Sequence, residues 1–524
     1  MAASDPCTVR HAIDLLCRWH AGSELLVDGR DRYTGERLNR EARAVAQALQ
    51  HAGIAQGDAV AFLGPSTCRF YAAFLAAQKL GCVTCNINVR EPVAFIDTTL
   101  RAIGARAVVC ADGAAAMVTE AVARLPGKPL VLSLGDVPPP GVDLAYAQAL
   151  ARHPAEEPQA RPSADDPAII ILSSGSTGTP KGIVHSNGNF VRWMQAVPAL
   201  FGDVSRHTRL LVMVGTSFAA WPFSSISTLY AGATQVLVEG FTPESFCATI
   251  EREKVTMVGP VPTMIRMLEP EITRRYDLGS LRMVLCAGEP PSPADIERVR
   301  SWADTDIRCL YLASESAPGA ATCWELRDQT LRGKPVCAGK PVPGADLRIV
   351  DPEGGIDDLR PVGESGEILL RGPTLSTGYL GNPELTARRF VAGWWRSGDM
   401  GHLDADGYLH VAGRTDNTIN SGGIKVQGEE VEICLMAHPA VLQVAVIGVR
   451  DPKWGQRIEA HVAVATGTTE EELREHCRGR LASFKQPKTY VFHERLPVGV
   501  TGKLDRVTLR RRYATGSPQP GGSA

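Results

Sequence analysis

A chain of 524 residues is too long for one hydrophobic core, so two to four domains or subdomains are expected. Apolar residues make up 44% and charged residues 21%, the balance of a globular protein and not of a disordered one. The formal net charge of −2 gives no electrostatic reason to expect nucleic acid or an anionic membrane as partner, and no apolar run reaches bilayer-spanning length. The N-terminal MAASDPCTVRHAIDLLCRWHAG mixes acidic and basic residues and predicts a short amphipathic helix in place of a signal peptide, so a cytoplasmic location is expected. Thirteen cysteines stand singly among apolar neighbours, which predicts buried thiols and not a disulfide framework. Cys82 and Cys85 form the one C-x-x-C, inside a strand-like run without a second pair at zinc spacing, and core packing is expected of both.

From residue 58 to about 311, short apolar runs alternate with helical patterns. AVAFLG, RAVVCA, LVLSL, AIIILS, RLLVMV, TQVLVE, TMVGP, RMVLCAG and RCLYL predict strands, and FYAAFLAAQKLG, AAMVTEAVARLPG, FCATIEREK and ADIERVRSWA predict helices. Alternation of this kind predicts an α/β fold with mainly parallel sheets and helices on their faces. The polar, proline-rich RHPAEEPQARPSADDP reads as a surface linker ending just before AIIILS. From about residue 335, glycine-punctuated strands such as GEILLRG and GYLHVAGR predict a β-rich subdomain. After Arg414 the sequence predicts a compact α+β unit in which Thr469 caps a helix with an acidic first turn. The expected division is a large N-terminal domain over 1–415, a small C-terminal domain over 416–512 and a disordered tail over 513–524.

The segment SSGSTGTPKG, Ser173 to Gly182, follows directly on a buried strand, where α/β proteins carry ligand loops. It fails the G-x-x-x-x-G-K-[ST] pattern of the common phosphate loop, because Pro180 precedes Lys181 and Gly182 follows it. Its composition still suits a triphosphate. Glycines let backbone N–H groups turn towards an anion, hydroxyls donate further bonds, and lysine supplies charge. Composition alone leaves a flexible serine-glycine loop equally open, although such a linker does not need a proline beside a lysine.

The loop matches throughout the pattern [ST]-S-G-[ST]-T-G-x-P-K-G and resembles the signature of the adenylate-forming superfamily, which includes acyl- and aryl-CoA ligases, nonribosomal-peptide adenylation domains and luciferases. Further segments resemble that family in order: CAGEPPS, YLASES, GEILLRGPTLSTGYL, RSGD, GRTD, SGG and LPVGVTGKLDR. The resemblance implies that Ser173, Ser174, Gly175, Ser176, Thr177, Gly178 and Lys181 hold the phosphates of ATP, with Gly288, Glu289 and Pro290 on the adenine side. It further implies Tyr311 against adenine, Ser314 at phosphate and Glu315 as a Mg²⁺ ligand. A hard cation between a carboxylate and a triphosphate is the expected arrangement. Asp399 is implied as acceptor for the ribose diol and Arg414 as a second ribose and phosphate contact. Asp416 is implied as the hinge of a mobile small domain, Gly423 as lining of a thiol tunnel, and Lys503 as the catalytic lysine. The implied cofactors are ATP, Mg²⁺ and CoA. The implied partners are a small carboxylic acid and CoA or a carrier-protein pantetheine, with the enzyme a monomer or homodimer.

The stretch GTSFAAWPFSSIS aligns with the family's acid pocket. Amino-acid-activating members carry an aspartate where this chain has Ala219, so a substrate ammonium would lie unpaired and an α-amino acid is disfavoured. Met213, Phe218, Trp221 and Phe223 are the expected apolar lining for an aryl or medium hydrophobic acid, though each aromatic could equally be core. Two departures from the family are Leu312, where a glycine is usual, and the absence of the histidine many acyl-CoA ligases have near Phe218. They leave open the acid and, as acceptor, a carrier protein or a non-thiol nucleophile. A non-catalytic nucleotide binder would be expected to lack Lys503, Glu315 or Asp399, and all three are present, while a luciferase-like oxygenase stays open on sequence alone.

Overall fold

The computed structural model describes residues 5–29, 31–173, 181–202, 204–288, 291–317, 322–325, 337–421, 424–498 and 504–513. The chain divides into two compact units, Met1–Leu347 with Leu370–Trp395, and Arg348–Leu369 with Arg396–Ala524. The architecture is mixed α/β, as the alternation predicts.

In the larger unit the described residues form two large sheets. One runs Lys340–Pro341, Thr322–Glu325, Asp306–Tyr311, Met283–Ala287, Met257–Val258, Arg209–Val212, Thr234–Leu237, Glu24–Asp28 and Asp31–Thr34, parallel in its middle and antiparallel at both edges. The other runs Gly378–Tyr379, Lys181–Ser186, Pro167–Ser173, Val83–Asn86, Ala59–Leu63, Ala105–Cys110, Leu130–Ser133 and Leu144–Ala145. One apolar core contains residues of both, including Leu26, Leu210 and Leu285 from the first and Phe62, Val109 and Ile169 from the second. The helix Cys68–Lys79 is apolar over most of its surface and buried except at Arg69, the position such a pattern demands. Its N-terminus is closed by Thr67, whose hydroxyl accepts from the Phe70 amide. The expected N-terminal amphipathic helix is Val9–Trp19, with Val9, Ala12, Ile13 and Leu16 forming the buried stripe. Cys82 and Cys85 are core residues, and burial pushes both thiols up to about 12.

The proline-rich stretch before AIIILS lies on the surface but is not slack. The Lys79 side chain is 0% exposed and pairs with Asp14 and, at 2.7 Å, with Glu157. Arg10 donates to the carbonyls of Pro158 and Ala160, and Gln56 bonds both the N–H and the C=O of Arg161. An ammonium removed from water needs such partners, so this irregular segment is part of the core's charge balance.

In the smaller unit, Gly428–Met436 and Glu470–Cys477 pack with the antiparallel pair Val441–Asp451 and Gly455–Val464 around their own apolar core. Thr469 caps Glu470–Cys477 through the Glu472 amide, as expected, and the Glu472 carboxylate returns to Thr469. Ahead of this lies the hairpin of Trp394–Leu403 with Leu409–Arg414. No described helix is long and apolar enough to cross a membrane.

Candidate active site

The expected phosphate loop is bounded by an antiparallel pair. Ser173 ends one strand, Lys181 opens the next, and the two are register partners. Residues Ser174, Gly175, Ser176, Thr177 and Gly178 lie outside the described residues, as do Glu289, Pro290, Gly423, Lys503 and the Asp416 side chain. At Gly182 a side chain would come within 3.1 Å of both Ile170 and Leu380, so glycine lets this strand seat closely between its neighbours. On its outer edge the strand Lys181–Ser186 pairs with Gly378–Tyr379.

The Tyr311–Glu315 segment leaves its strand and enters a tight turn. The Ala313 amide donates to the Ser316 hydroxyl at 2.9 Å, and the Ala317 amide to the Ala313 carbonyl at 3.0 Å. Three consecutive carbonyls of the turn are then taken up from outside it. His185 Nε2 donates to Ser314 at 2.8 Å, the Ser376 amide to Glu315 at 2.8 Å, and the Thr374 hydroxyl to Ser316 at 2.8 Å. The Glu315 carboxylate accepts from the Tyr379 hydroxyl at 3.0 Å, and the Trp395 indole N–H donates to that hydroxyl at 3.4 Å. His185 lies on the strand opened by Lys181, so one side chain ties the phosphate-loop strand to the turn that carries Ser314 and Glu315.

His185 was not singled out from sequence. Its ring is fully buried against Trp193 and Phe223, and desolvation pushes its pKa down to about 4. A carbonyl can only accept, so Nε2 carries the proton. Nδ1 is then a bare acceptor, without a hydrogen-bond partner among the described residues.

Where adenine is expected, Ala287 pairs with Leu310, which brings Gly288 and Tyr311 to matching ends of neighbouring parallel strands. Gly288 has φ +89°, a left-handed conformation that favours glycine, and no described atom beyond its chain neighbours lies within 4 Å of the position a Cβ would take. The residues expected to line an acid pocket separate into two depths. Met213, Phe218, Ala219 and Leu312 are half-buried. Trp221 is 0% exposed among Phe70, Tyr71 and Phe74, with ring centroids 5.5, 5.2 and 5.2 Å away. Phe223 is packed on Trp193 at 4.9 Å. Both belong to the core, the alternative that the sequence left equally open for each, and neither presents open surface to a ligand. Trp221 opens a π-helical turn, Trp221–Ile226, an irregularity common beside functional sites. The loop before it is anchored by Thr216, whose hydroxyl donates to Gly64 and whose carbonyl accepts from Asn86.

In the smaller unit Asp399 and Arg414 face each other across the hairpin, and the guanidinium donates to Asp399 Oδ1 at 2.9 Å. The Ser397 hydroxyl donates to the Ile368 carbonyl and accepts from the Asp399 amide, which fixes the aspartate backbone. The residues after Arg414 form a short turn, Thr415–Asn417. The Asn417 amide donates to Glu429 at 2.7 Å, and burial beside Glu432 holds the Glu429 carboxyl above the usual range. A side chain at Gly413 would collide with that same carboxyl group.

Among the described residues no cluster of three or more His, Cys, Asp or Glu side chains could enclose a metal ion. A lone carboxylate such as Glu315 fits Mg²⁺ of the kind that keeps its waters and shares its shell with substrate phosphates, not a closed protein cage.

The AMP-binding enzyme family matches residues 17–380, and the AMP-binding enzyme C-terminal domain matches residues 430–503. A feruloyl-CoA synthase from Amycolatopsis sp is 34% identical over 486 residues, covering 91% of this chain and 93% of that protein. The crystal structure of the anthranilate CoA ligase AuaEII with anthranoyl-AMP aligns with a TM-score of 0.86 at 27% identity, covering 95% of this chain and 96% of that one. The amide bond synthetase McbA from Marinactinospora thermotolerans aligns with a TM-score of 0.85 at 30% identity, covering 96% and 99%.

Proposed function

The chain belongs to the AMP-binding enzyme family, and from that premise we propose how it works as an acid–thiol ligase. A carboxylic acid attacks the α-phosphorus of ATP, releasing pyrophosphate and leaving an acyl-adenylate. A thiol, CoA in our reading, then attacks the acyl carbon and AMP departs. The observation that carries this reading is the bond from His185 to Ser314, which joins the strand of Lys181 to the turn of Glu315. Phosphate-binding and metal-binding groups far apart in sequence are thereby held on one rigid scaffold.

The first step sets an anion against an anion, so cations and placement carry the rate. The loop over Ser173, Ser174, Gly175, Ser176, Thr177, Gly178 and Lys181 grips the triphosphate, and Ser314 adds a hydroxyl. Tyr311 and Gly288 border the adenine with Glu289 and Pro290, while Asp399 accepts from the ribose diol beside Arg414. Glu315 would hold Mg²⁺, which when bound neutralises phosphate charge. Lys503 supplies the second cation. It is carried on the small domain, which begins beyond residue 415 and turns about Asp416, so that Gly423 replaces it for the thiol step.

The acid we propose is aryl or medium hydrophobic. Met213, Phe218, Ala219 and Leu312 line its pocket, with Trp221 and Phe223 bracing them. Ala219 offers no partner for an ammonium, which argues against α-amino acids. The likeness to an amide bond synthetase favours one second reading, in which an amine takes the place of the thiol.

Pyrophosphate release should be screened over aryl and aliphatic acids, followed by CoA or an amine with mass detection of the product. One acid class should release pyrophosphate and yield a thioester with CoA. Lys503→Ala should abolish that release yet spare thiol transfer from supplied acyl-adenylate. Silence with every acid would overturn the ligase reading, and equal loss of both half-reactions would overturn the role given to Lys503.

A further inference from the structure

Tyr379 stands in the GY of GEILLRGPTLSTGYL, a motif whose spacing is recognisable but whose tyrosine has no role in the chemistry above. Four local constraints fix this side chain. Its strand pairs with Lys181–Ser186, with Tyr379 opposite Ile183. Its amide donates to the Thr386 hydroxyl at 3.0 Å. Its ring packs edge-on against Phe390 at 5.8 Å. Gly378 has φ +140°, and a side chain there would collide with Thr386, so only glycine brings the chain into this path. Tyr379 is 9% exposed, and its hydroxyl meets one oxygen of Glu315 on one side and the Trp395 indole on the other.

We infer that Tyr379 is the positioning residue for Glu315, aiming the carboxylate at the metal while Trp395 orients the phenol. A carboxylate has several lone-pair directions, and a donor fixed on one oxygen leaves a defined set for a cation. The direction of donation is secure: the indole can only donate to the phenol oxygen, which leaves the phenol proton for Glu315. Because Tyr379 sits on a strand paired with that of Lys181, the aim of the metal ligand and the exit of the phosphate loop share one piece of sheet. The inference rests on Glu315 being the metal ligand, and the experiment separates the two.

Tyr379→Phe keeps the ring and its packing and removes only the hydroxyl. Mn²⁺ binding to the protein with a non-hydrolysable ATP analogue, followed by electron paramagnetic resonance, reads the site without turnover. The expected result is a weakening of metal binding by about tenfold in Tyr379→Phe, the usual size for loss of an outer-shell partner. Glu315→Gln should lose it further. The half-saturating Mg²⁺ concentration for pyrophosphate release should rise by a similar factor, while the KM for the acid and the melting temperature stay near wild type. A purely structural role would move the melting temperature and leave the metal dependence alone. Wild-type metal binding in Tyr379→Phe with a clear loss in Glu315→Gln would overturn the inference and leave the metal assignment standing. Wild-type binding in both variants would overturn both.

Discussion

The turn at 313–317 in the larger unit and the Asp399–Arg414 pair in the smaller one hold their candidate ligands in opposite ways. In the turn, three successive carbonyls and the Glu315 carboxylate are bonded by His185, Ser376, Thr374 and Tyr379, from separate segments of the fold. Folding has already organised this region, and a nucleotide meeting it need not reshape the backbone. Across the hairpin, the Asp399 side chain is 14% exposed and its partner Arg414 is 47% exposed, a pair in contact with water. In the function proposed above, a ribose diol would share Asp399 with that guanidinium or displace it. One region is preorganised and the other is competitive, and the two should answer differently to substitution and to pH.

The largest expected effect belongs to the preorganised region. Neutral His185 is favoured in the folded chain, with a pKa near 4 against 6.5, so the unfolded chain binds the extra proton between those values. Stability is therefore fully present above pH 6.5 and falls as pH drops towards 4, by about 3 kcal/mol from this one ring. Denaturant midpoints at pH 7 and pH 4.5 should fall much less in His185→Gln than in wild type. An equal fall in both would show that burial of the His185 ring carries no such linkage.

A smaller effect is expected at the exposed pair, and of another kind. Asp399→Asn should raise the KM for ATP by about tenfold or more, since hydrogen bonds to a charged acceptor contribute about 1.5–3 kcal/mol. Its melting temperature should barely change, because a pair this accessible adds about 1 kcal/mol or less. A large loss of stability in that variant would erase the contrast between the regions. The smallest effect is set for Ser397→Ala, which frees the Asp399 backbone without touching its carboxylate. A stability loss of about 1 kcal/mol by chemical denaturation and a few-fold rise in the KM for ATP would show that the exposed region is also positioned, though from behind.

The strands and helices were legible because their apolar periods are strong: AIIILS, RMVLCAG and RCLYL are strands where the pattern predicts them. What the pattern lacks is pairing. Period alone does not say that Lys181 opens a strand of its own, or that Tyr379 comes to lie beside it from far along the chain. The same limit hid His185, a histidine in an apolar strand with no local signature, whose meaning comes from Ser314. Trp221 stayed undecided for a related reason, because an aromatic in a pocket-like stretch reads the same whether its ring faces ligand or core.

The irregular segment between Arg152 and Pro167 carries a consequence for anyone cutting or lengthening the chain. On sequence it is the natural place for a tag, a linker or a circular permutation, being polar, proline-rich and without secondary structure. Here it is a strap whose Glu157 neutralises the wholly buried Lys79 and whose carbonyls receive Arg10. Insertions there would shift those partners out of register and leave the buried Lys79 to Asp14 alone, a fault of up to about 3–5 kcal/mol when one partner of a buried pair is lost. Exposure on the surface is not permission to edit it.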